Sequence, residues 1–414
     1  MTQKALARRQ FIQFLAASPL FAGLGPGRLF ADMVPGGSAT SAAGLSDSLL
    51  SLISKPEEAL DVFDFQRVAE QVLPPAHYGY LATGTDGDET LHANRKAFDK
   101  LYLRASRMVD TASIDTRLEL LGQQLSSPIV IAPVGSQRAF HPEGELATAR
   151  AARSRDHLQI LSNVSTASIE EVIAARGAPV WSQLYPTSDW SVTEKMIRRA
   201  ENAGAPVVVL TVDLHSGSNR ETMMRYIRKD KRDCSVCHDQ TREDAWLDRK
   251  PMYEGTGATT AGFDTPGMTW DFIERLKDST GMKVVIKGIV TAQDAESAVR
   301  HGVDAVIVSN HGGRAEASGW ATLDSLPEVV RAVDGAVPVM VDSGFRRGTD
   351  NFKALALGAD AVCIGRAYIW GLAAFGQPGV EKVLDILRAE LAMVMGQMGT
   401  PALKDIRPDS IGRH

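Results

Sequence analysis

KVVIKGI (283–289), AVIVSN (305–310), PVMVDSG (338–344) and AVCIGR (361–366) share one pattern: a short β-branched core that ends in polar or glycine residues. Upstream, PIVIAPVG (128–135), LQILSNV (158–164), APVWSQLY (178–185) and PVVVLTVD (206–213) repeat it, making eight runs. Helical stretches separate them, and several end in a glycine that introduces the next run: Gly204, Gly302, Gly335 and Gly358. Apolar runs of this length, alternating with helices, read as strands buried on both faces of a parallel sheet. Eight such units in one chain predict a (β/α)8 TIM barrel rather than an open doubly wound sheet.

The barrel reading places chemistry before any residue is assigned a role, because active sites on this architecture gather at the C-terminal ends of the strands. The polar residues fall there: Gln183 and Tyr185 after strand three, Thr211 and Asp213 after four, Lys287 after five, and Ser309, Asn310 and His311 after six. Between Asp213 and Thr269 no barrel strand is expected, so residues 214–268 form a long loop after strand four. Loops of that length in compact domains are usually functional or disordered.

The bulk properties allow a full core and exclude some partners. Hydrophobic residues make up 44% and charged residues 23% of 414, ordinary globular values. The formal net charge of −5, with no extended basic run, argues against nucleic acid as a partner. Three cysteines are too few for a disulfide scaffold.

The N-terminus reads differently from the rest. Lys4, Arg8 and Arg9 precede a short apolar run from Phe11, and no acidic residue appears before Asp32. That order describes a signal peptide over residues 1–31, and the paired arginines give it a Tat-type character. The bland alternative is the basic start of a surface helix. Export would place the protein in the periplasm. Residues 32–55, rich in Gly, Ser and Ala, read as a flexible linker. From about Pro56 an N-terminal helical segment begins, with Ala59, Val62, Phe63 and Val68 spaced as an amphipathic helix, so the barrel domain spans 56–414.

At the barrel mouth the residue types suggest a reaction. His311 is the natural proton acceptor near neutral pH. Asp213 is placed to hold its other ring nitrogen. Arg314 and Arg220 form a candidate two-pronged clamp for a carboxylate, to which a guanidinium is suited. Tyr80 and Tyr185 add hydroxyls. Such a set fits proton removal from a hydroxyl or α-carbon beside a carboxylate. Asp342 to Gly348 after strand seven, and Gly365-Arg366 after strand eight, lie where barrels bind phosphate. With Lys287 nearby to meet negative charge on a ring, a phosphorylated flavin fits.

These residues resemble the FMN-dependent α-hydroxy acid dehydrogenases and oxidases. The resemblance runs from about Phe65 to about Ile406 and is strongest at SNHGGR (309–314). Supporting stretches are HPEGELATARAA (141–152), SQLY (182–185), LTVD (210–213), IKGI (286–289), RRGTDNFKALALGAD (346–360) and IGR (364–366). It implies His311 as the base with Asp213 as its partner, and Tyr185 at the substrate hydroxyl. Arg314, Tyr80 and Arg220 would bind the substrate carboxylate. Ala132, Pro133, Val134 and Gly135, with Ser162, Gln183, Thr211, Lys287 and Ser309, would hold the flavin ring. Asp342, Gly344, Arg346, Gly365 and Arg366 would hold the ribityl chain and phosphate. A homo-oligomer, a tetramer, is implied as well.

The chain departs from the family pattern at Ala315-Glu316-Ala317, at LHSGSNRE (214–221), at Asn163 and Val164, where a large aromatic often follows Ser162, and at Gly135, where the oxidases commonly carry alanine. The expected function is FMN-dependent oxidation of an L-2-hydroxy acid, lactate-like, to the 2-oxo acid by a periplasmic dehydrogenase serving a cytochrome or quinone. An oxidase that uses oxygen is the alternative, and a non-catalytic FMN- or ligand-binding barrel is a rival of another class.

One motif stands outside this scheme. CSVCH (234–238) has the spacing of a covalent haem c attachment, with Cys234 and Cys237 as the thiols and His238 as the axial ligand. A Cys234–Cys237 disulfide, half of a zinc site, and free thiols are the other readings. Cys363, inside strand eight, reads as a core residue.

Overall fold

The computed structural model of the chain describes residues 52–214, 217–233 and 241–414. The expected strands form in the expected order: β1 (Ile129–Ile131), β2 (Ile160–Ser162), β3 (Trp181–Leu184), β4 (Val207–Thr211), β5 (Lys283–Ile289), β6 (Ala305–Val308), β7 (Val339–Val341) and β8 (Ala361–Ile364). Each pairs in parallel with its sequence neighbour from β2 to β8, and β8 pairs with β1. A parallel bridge between Ile131 and Gln159 joins β1 to the approach of β2 and completes the circuit. The fold is a (β/α)8 barrel.

The strands are shorter than the runs that announce them, because each run's polar end has already left the ladder. That division follows from the period of two along a strand. Val130, Leu158, Ile160, Trp181, Val207, Val209, Val285, Ala305, Ile307, Met340, Ala361 and Cys363 point inward as one apolar cluster. Two residues further on, the same interior face carries Ser162, Gln183, Thr211, Lys287, Ser309 and Asp342, all buried. The barrel is therefore dry below and polar at its C-terminal mouth. Its other end is closed by a hairpin, Leu118–Leu120 paired with Gln123–Leu125, whose Leu120 and Leu125 join the interior cluster.

The N-terminal segment contributes α1 (Val62–Val72), α2 (Pro75–Ala82) and α3 (Glu89–Lys96). Helix α1 begins later than Pro56 because Asp61 caps it, accepting from the Phe63 amide at 2.8 Å, while Asp64 reaches back to the cap backbone. The remaining helices are α4 (Gly144–Arg155), α5 (Ile169–Arg176), α6 (Trp190–Asn202), α7 (Glu221–Lys229), α8 (Asp271–Ser279), α9 (Ala292–Arg300), α10 (Thr322–Val333), α11 (Gly348–Ala356) and the kinked α12 (Arg366–Met398), all but α7 being the barrel's own. In α6, Val192, Met196, Ile197 and Ala200 face the sheet, the stripe expected of a helix covering a barrel.

Helix α7 and several single turns lie within the long loop after β4, which is docked at both ends. Its first half lies on α2: Tyr78 and Tyr226 meet edge to face at 5.7 Å, and Asp230 accepts from the Ala76 amide at 3.1 Å. Its second half lies on α6: Lys195 donates to the Thr256 carbonyl at 3.0 Å and Arg199 to that of Pro251. CSVCH, with its haem, disulfide and zinc readings, lies outside the described residues, as do the signal-peptide reading of 1–31 and all but the end of the 32–55 linker. Among the described residues no helix is long and apolar enough to cross a membrane.

One backbone irregularity shapes the mouth. Between Lys287 and Ile289 the register of β5 against β6 slips at Gly288, whose φ is +114°. A Cβ there would lie 2.9 Å from the Cβ of Asp213. Gly288→Ala is expected to cost about 1–3 kcal/mol in backbone strain, and to displace Asp213 as well. Urea denaturation measures the first effect, and loss of the 2.8 Å Asp213–His311 bond in a crystal structure of the variant reports the second.

Candidate active site

A cleft at the C-terminal mouth encloses about 810 Å³ of space that opens to solvent. Its walls carry Tyr80, Ala132, Pro133, Val134, Gly135, Ser162, Tyr185, Lys287, His311, Arg314, Asp342, Gly344, Arg346, Gly365 and Arg366, fifteen residues that the sequence nominates. Five nominated residues stand behind the wall instead: Gln183, Thr211, Asp213, Ser309 and Arg220. Among the described residues no cluster of His, Cys, Asp and Glu is built to hold a metal.

The proton-handling unit is assembled from three strands. His311 Nδ1 lies 2.8 Å from Asp213 Oδ1, and His311 Nε2 lies 3.1 Å from the Tyr185 hydroxyl. Burial alone would raise the Asp213 carboxyl, but His311 and Lys287 hold it down to about 2. An ionised carboxylate only accepts, so Nδ1 carries the hydrogen and the Nε2 lone pair faces the cleft, where Tyr185 donates to it. Burial pushes the His311 pKa below its ordinary 6.5, with Lys287 and Arg314 acting in the same direction against Asp213. The imidazole is therefore neutral at pH 7 and free to take a proton. Burial and the Asp213 charge push the Tyr185 hydroxyl far above its ordinary value, so it stays a donor.

His311 is also conformationally marked. It sits at φ +58°, followed by Gly312 at +69° and Gly313 at +76°, an uncommon left-handed run for a chain that includes a histidine. The turn is held by side chains: the His311 amide donates to Ser309 Oγ at 3.0 Å, Gly312 to Ser343 Oγ at 2.9 Å, and Gly313 to Asn310 Oδ1 at 3.0 Å. Asn310 is in turn paired with Asn94 of α3 through two bonds of 2.9 Å. Ser343 and Asn94 belong to the site's support; Ser343 lies in the nominated 342–348 stretch without a role of its own there, and Asn94 carries no sequence signal because its partner lies 216 positions away.

Lys287 is buried between two carboxylates, 3.6 Å from Asp213 Oδ2 and 3.4 Å from Asp342 Oδ2, and donates to Ser309 Oγ at 2.8 Å. Burial works against its charge, but the two aspartates outweigh it and raise its pKa. Gln183 donates to Thr211 Oγ1 at 3.1 Å, while its own buried Oε1 has no partner. Cys363 lies on the cleft floor, so the core reading describes its burial but not its exposure to the site.

The cations divide into two kinds. Arg314 lies over the Tyr80 ring, 4.4 Å from its centroid, and faces the cleft. Arg220 and Arg366 spend their donors on backbone. Arg220 reaches the carbonyls of Gly84, Tyr80 and Thr83, and Arg366 those of Leu81, Thr83 and Gly312. Burial, then Arg314, lowers the Arg220 pKa to about 10. Arg346 is buried against Trp370, its guanidinium 4.5 Å from the ring centroid and donating to the Phe345 carbonyl at 2.7 Å. The nearby Asp350 carboxylate is taken by the Arg346 and Arg347 amides and by Arg95. Burial, then Arg95, holds Arg346 down to about 9 against the pull of Asp350.

These features fit FMN. A buried guanidinium without a carboxylate of its own, beside the glycines after β7 and β8, suits the phosphate. An unpartnered buried Gln183 acceptor suits a ring N–H, and the Lys287 ammonium suits the electron-rich edge of the ring. Residues 69–413 match the family described as FMN-dependent dehydrogenase. Peroxisomal (S)-2-hydroxyacid oxidase GLO3 of Arabidopsis thaliana is 39% identical over 354 residues, covering 84% of this chain and 95% of that protein. Glycolate oxidase of Spinacia oleracea is 38% identical over 349 residues, covering 84% and 94%. A crystal structure of mandelate oxidase with (S)-2-phenylpropionate superposes with a TM-score of 0.74 at 35% identity, covering 86% of this chain and 98% of that one.

Removing the Lys287 charge tests the electrostatic reading. Lys287→Met leaves two buried carboxylates without a counter-ion, at an expected cost of about 3–5 kcal/mol near neutral pH. Without Lys287, burial pushes the Asp213 pKa up, so the loss is full above the raised pKa and shrinks as pH falls through it. Urea denaturation of both proteins at about pH 8 and about pH 5 should show a smaller gap at the lower pH.

Proposed function

The chain belongs to the FMN-dependent dehydrogenase family, and from that premise we propose that it is an oxidase, converting an (S)-2-hydroxy acid to the 2-oxo acid with oxygen as electron acceptor. The observation that carries the reading is the Asp213–His311–Tyr185 chain of hydrogen bonds ending at a cleft that also presents Arg314 and Tyr80. Pure ligand binding has no use for a neutral histidine backed by an ionised aspartate. The sequence alone favours a cytochrome or quinone as acceptor and puts oxygen second. The relatives named as oxidases support the reverse order. They lend no support to lactate as the substrate or to a covalent haem.

FMN, when bound, supplies the acceptor for the two electrons that leave the substrate. The protein's own groups do the rest. Arg314 and the Tyr80 hydroxyl orient the substrate carboxylate. Arg220 acts less directly: it fixes the 80–84 turn that delivers Tyr80, and its charge adds to the attraction. Tyr185 contacts the C2 hydroxyl. His311 Nε2 takes the proton released as the substrate is oxidised, and Asp213 stabilises the imidazolium that forms. Lys287 holds negative charge that builds on the cofactor ring. Ala132 to Gly135, Ser162, Gln183 and Thr211 support that ring, Ser309 steadies Lys287, and Asp342, Gly344, Arg346, Gly365 and the Arg366 backbone hold the ribityl phosphate.

The wall at Gly135 and Val164 carries no aromatic ring, so a substrate panel from glycolate to mandelate is the appropriate test. With purified FMN-loaded protein, oxygen uptake and peroxide release should match 2-oxo acid formation. No oxygen consumption alongside turnover with an artificial acceptor would assign the dehydrogenase reading instead. His311→Ala should retain flavin absorbance yet lose flavin reduction by about 10²–10⁴-fold. Because neutral His311 is required, kcat/KM should hold steady through neutral pH and fall only below about 6.5, its ordinary value.

We further propose export through the twin-arginine route, on residues 1–31 alone, with the periplasm as destination. Spheroplast fractionation should recover a shortened chain outside the cytoplasm. Replacing Arg8 and Arg9 by lysine should keep it inside.

A further inference from the structure

Lys250, in the second half of the long loop, is 7% exposed, unusual for a lysine outside any ion pair in hydrogen-bond contact. Its ammonium donates to Ser136 Oγ at 2.5 Å and to the Val164 carbonyl at 2.8 Å. The two acceptors belong to different βα loops, and both border the cleft: Val134, Gly135 and Val164 line it. The Ser136 amide also donates to the Val164 carbonyl, at 3.1 Å, so this one oxygen joins three segments of chain.

The junction has little slack. A Cβ on Gly135 would lie 2.5 Å from Val164 Cγ2 and 3.1 Å from its oxygen, so the two residues are in closest approach where Lys250 pulls them together. Glu145 of α4, wholly buried, fastens the flanks of the same loops. It accepts from the Gln137 amide at 3.0 Å, the Thr166 amide at 2.8 Å and the Thr166 hydroxyl at 2.5 Å. Glu145 is also the charge that faces Lys250: burial draws the lysine down to about 8, against the pull of that carboxylate.

We propose that Lys250 is a positioning residue that clamps the Gly135–Val164 wall at the spacing FMN requires, so that docking of the long loop and binding of the cofactor are coupled. The inference rests on the FMN reading above. It assigns the loop a role in the site through its second half, where the lysine inserts behind the wall without entering the cleft. Lys250→Met keeps the stem that fills the pocket and removes the donors. Ser136→Gly removes one acceptor while suiting the left-handed φ of +57° at that position.

The test is titration of apoprotein with FMN, followed by quenching of flavin fluorescence, for the wild type, both single variants and the double variant. Lys250→Met should raise the FMN Kd at least tenfold. Ser136→Gly should raise it severalfold in the wild-type background and have no further effect with Met at 250, because the clamp is already gone. Once saturated with FMN, Lys250→Met should change kcat less than KM. An unchanged Kd in Lys250→Met overturns the proposal. So do fully additive Kd effects of the two substitutions, which would mean that they act separately. Wild-type protein that binds no FMN takes down the functional reading and this one together, whereas normal binding by wild type and Lys250→Met alike takes down only this one.

Discussion

The mouth of this barrel is organised around the ammonium of Lys287, buried between Asp213 and Asp342 and hydrogen-bonded to Ser309. Taking three charges out of water is costly unless each is matched. Here the match ties the ends of β4, β5, β6 and β7 to one point. Lys287 holds one oxygen of Asp213, and Asp213 offers the other to His311. The orientation of the imidazole, its tautomer and the direction of its free lone pair follow from Asp213, which this charge two contacts away helps to keep ionised. Gly288 completes the device, since only a residue without a Cβ lets β5 bulge closely enough for Lys287 to reach the end of β4.

A second constraint comes from outside the barrel. The left-handed turn at His311–Gly313 and the residues that flank it also take partners from the N-terminal segment. Thr85 donates its amide to the Gly313 carbonyl at 2.9 Å, Thr90 Oγ1 accepts from Gly319 at 2.9 Å, and Asn94 pairs with Asn310. Arg366 bridges in the same sense from β8, joining Leu81 and Thr83 to Gly312. The segment that delivers Tyr80 to the cleft is thus the one that stabilises the loop carrying His311 and Arg314. Helices α2 and α3 are part of the site's construction, although they contribute no strand.

Why the barrel is legible in the sequence, and parts of its site are not, follows from the range of the forces involved. The period of two and the eight-fold alternation are local properties. They fix which residues point inward, so Gln183, Thr211, Lys287, Ser309 and Asp342 can be picked out by adding two to the last inward-facing apolar residue on each strand. The pairing of Asn94 with Asn310, the insertion of Lys250 behind Val164 and the diversion of Arg220 and Arg366 onto backbone carbonyls are tertiary, and no spacing announces them. An arginine near a phosphate-binding glycine reads as a ligand, yet the Arg366 side chain is committed to holding two loops together. The start of α1 is likewise late by a few residues, because the Asp61 cap overrides the apolar pattern that begins at Ala59.

Under the proposed function, the charge balance of the cleft gives the cofactor and substrate structural parts to play. Lys287 is satisfied by Asp213 and Asp342. Arg314, Arg220, Arg346 and Arg366 have no carboxylate partner among the described residues, and their mutual repulsion adds to burial in lowering the pKa of Arg366 and Arg220. Such an arrangement is unfavourable in the empty protein, and two anions relieve it in different places. Arg346, beside β7 and β8, would hold the FMN phosphate, and Arg314, over the Tyr80 ring, the substrate carboxylate. Arg366 feels both Arg314 and Arg346, so an anion at either place would ease the burden on the guanidinium that holds the two loops between them.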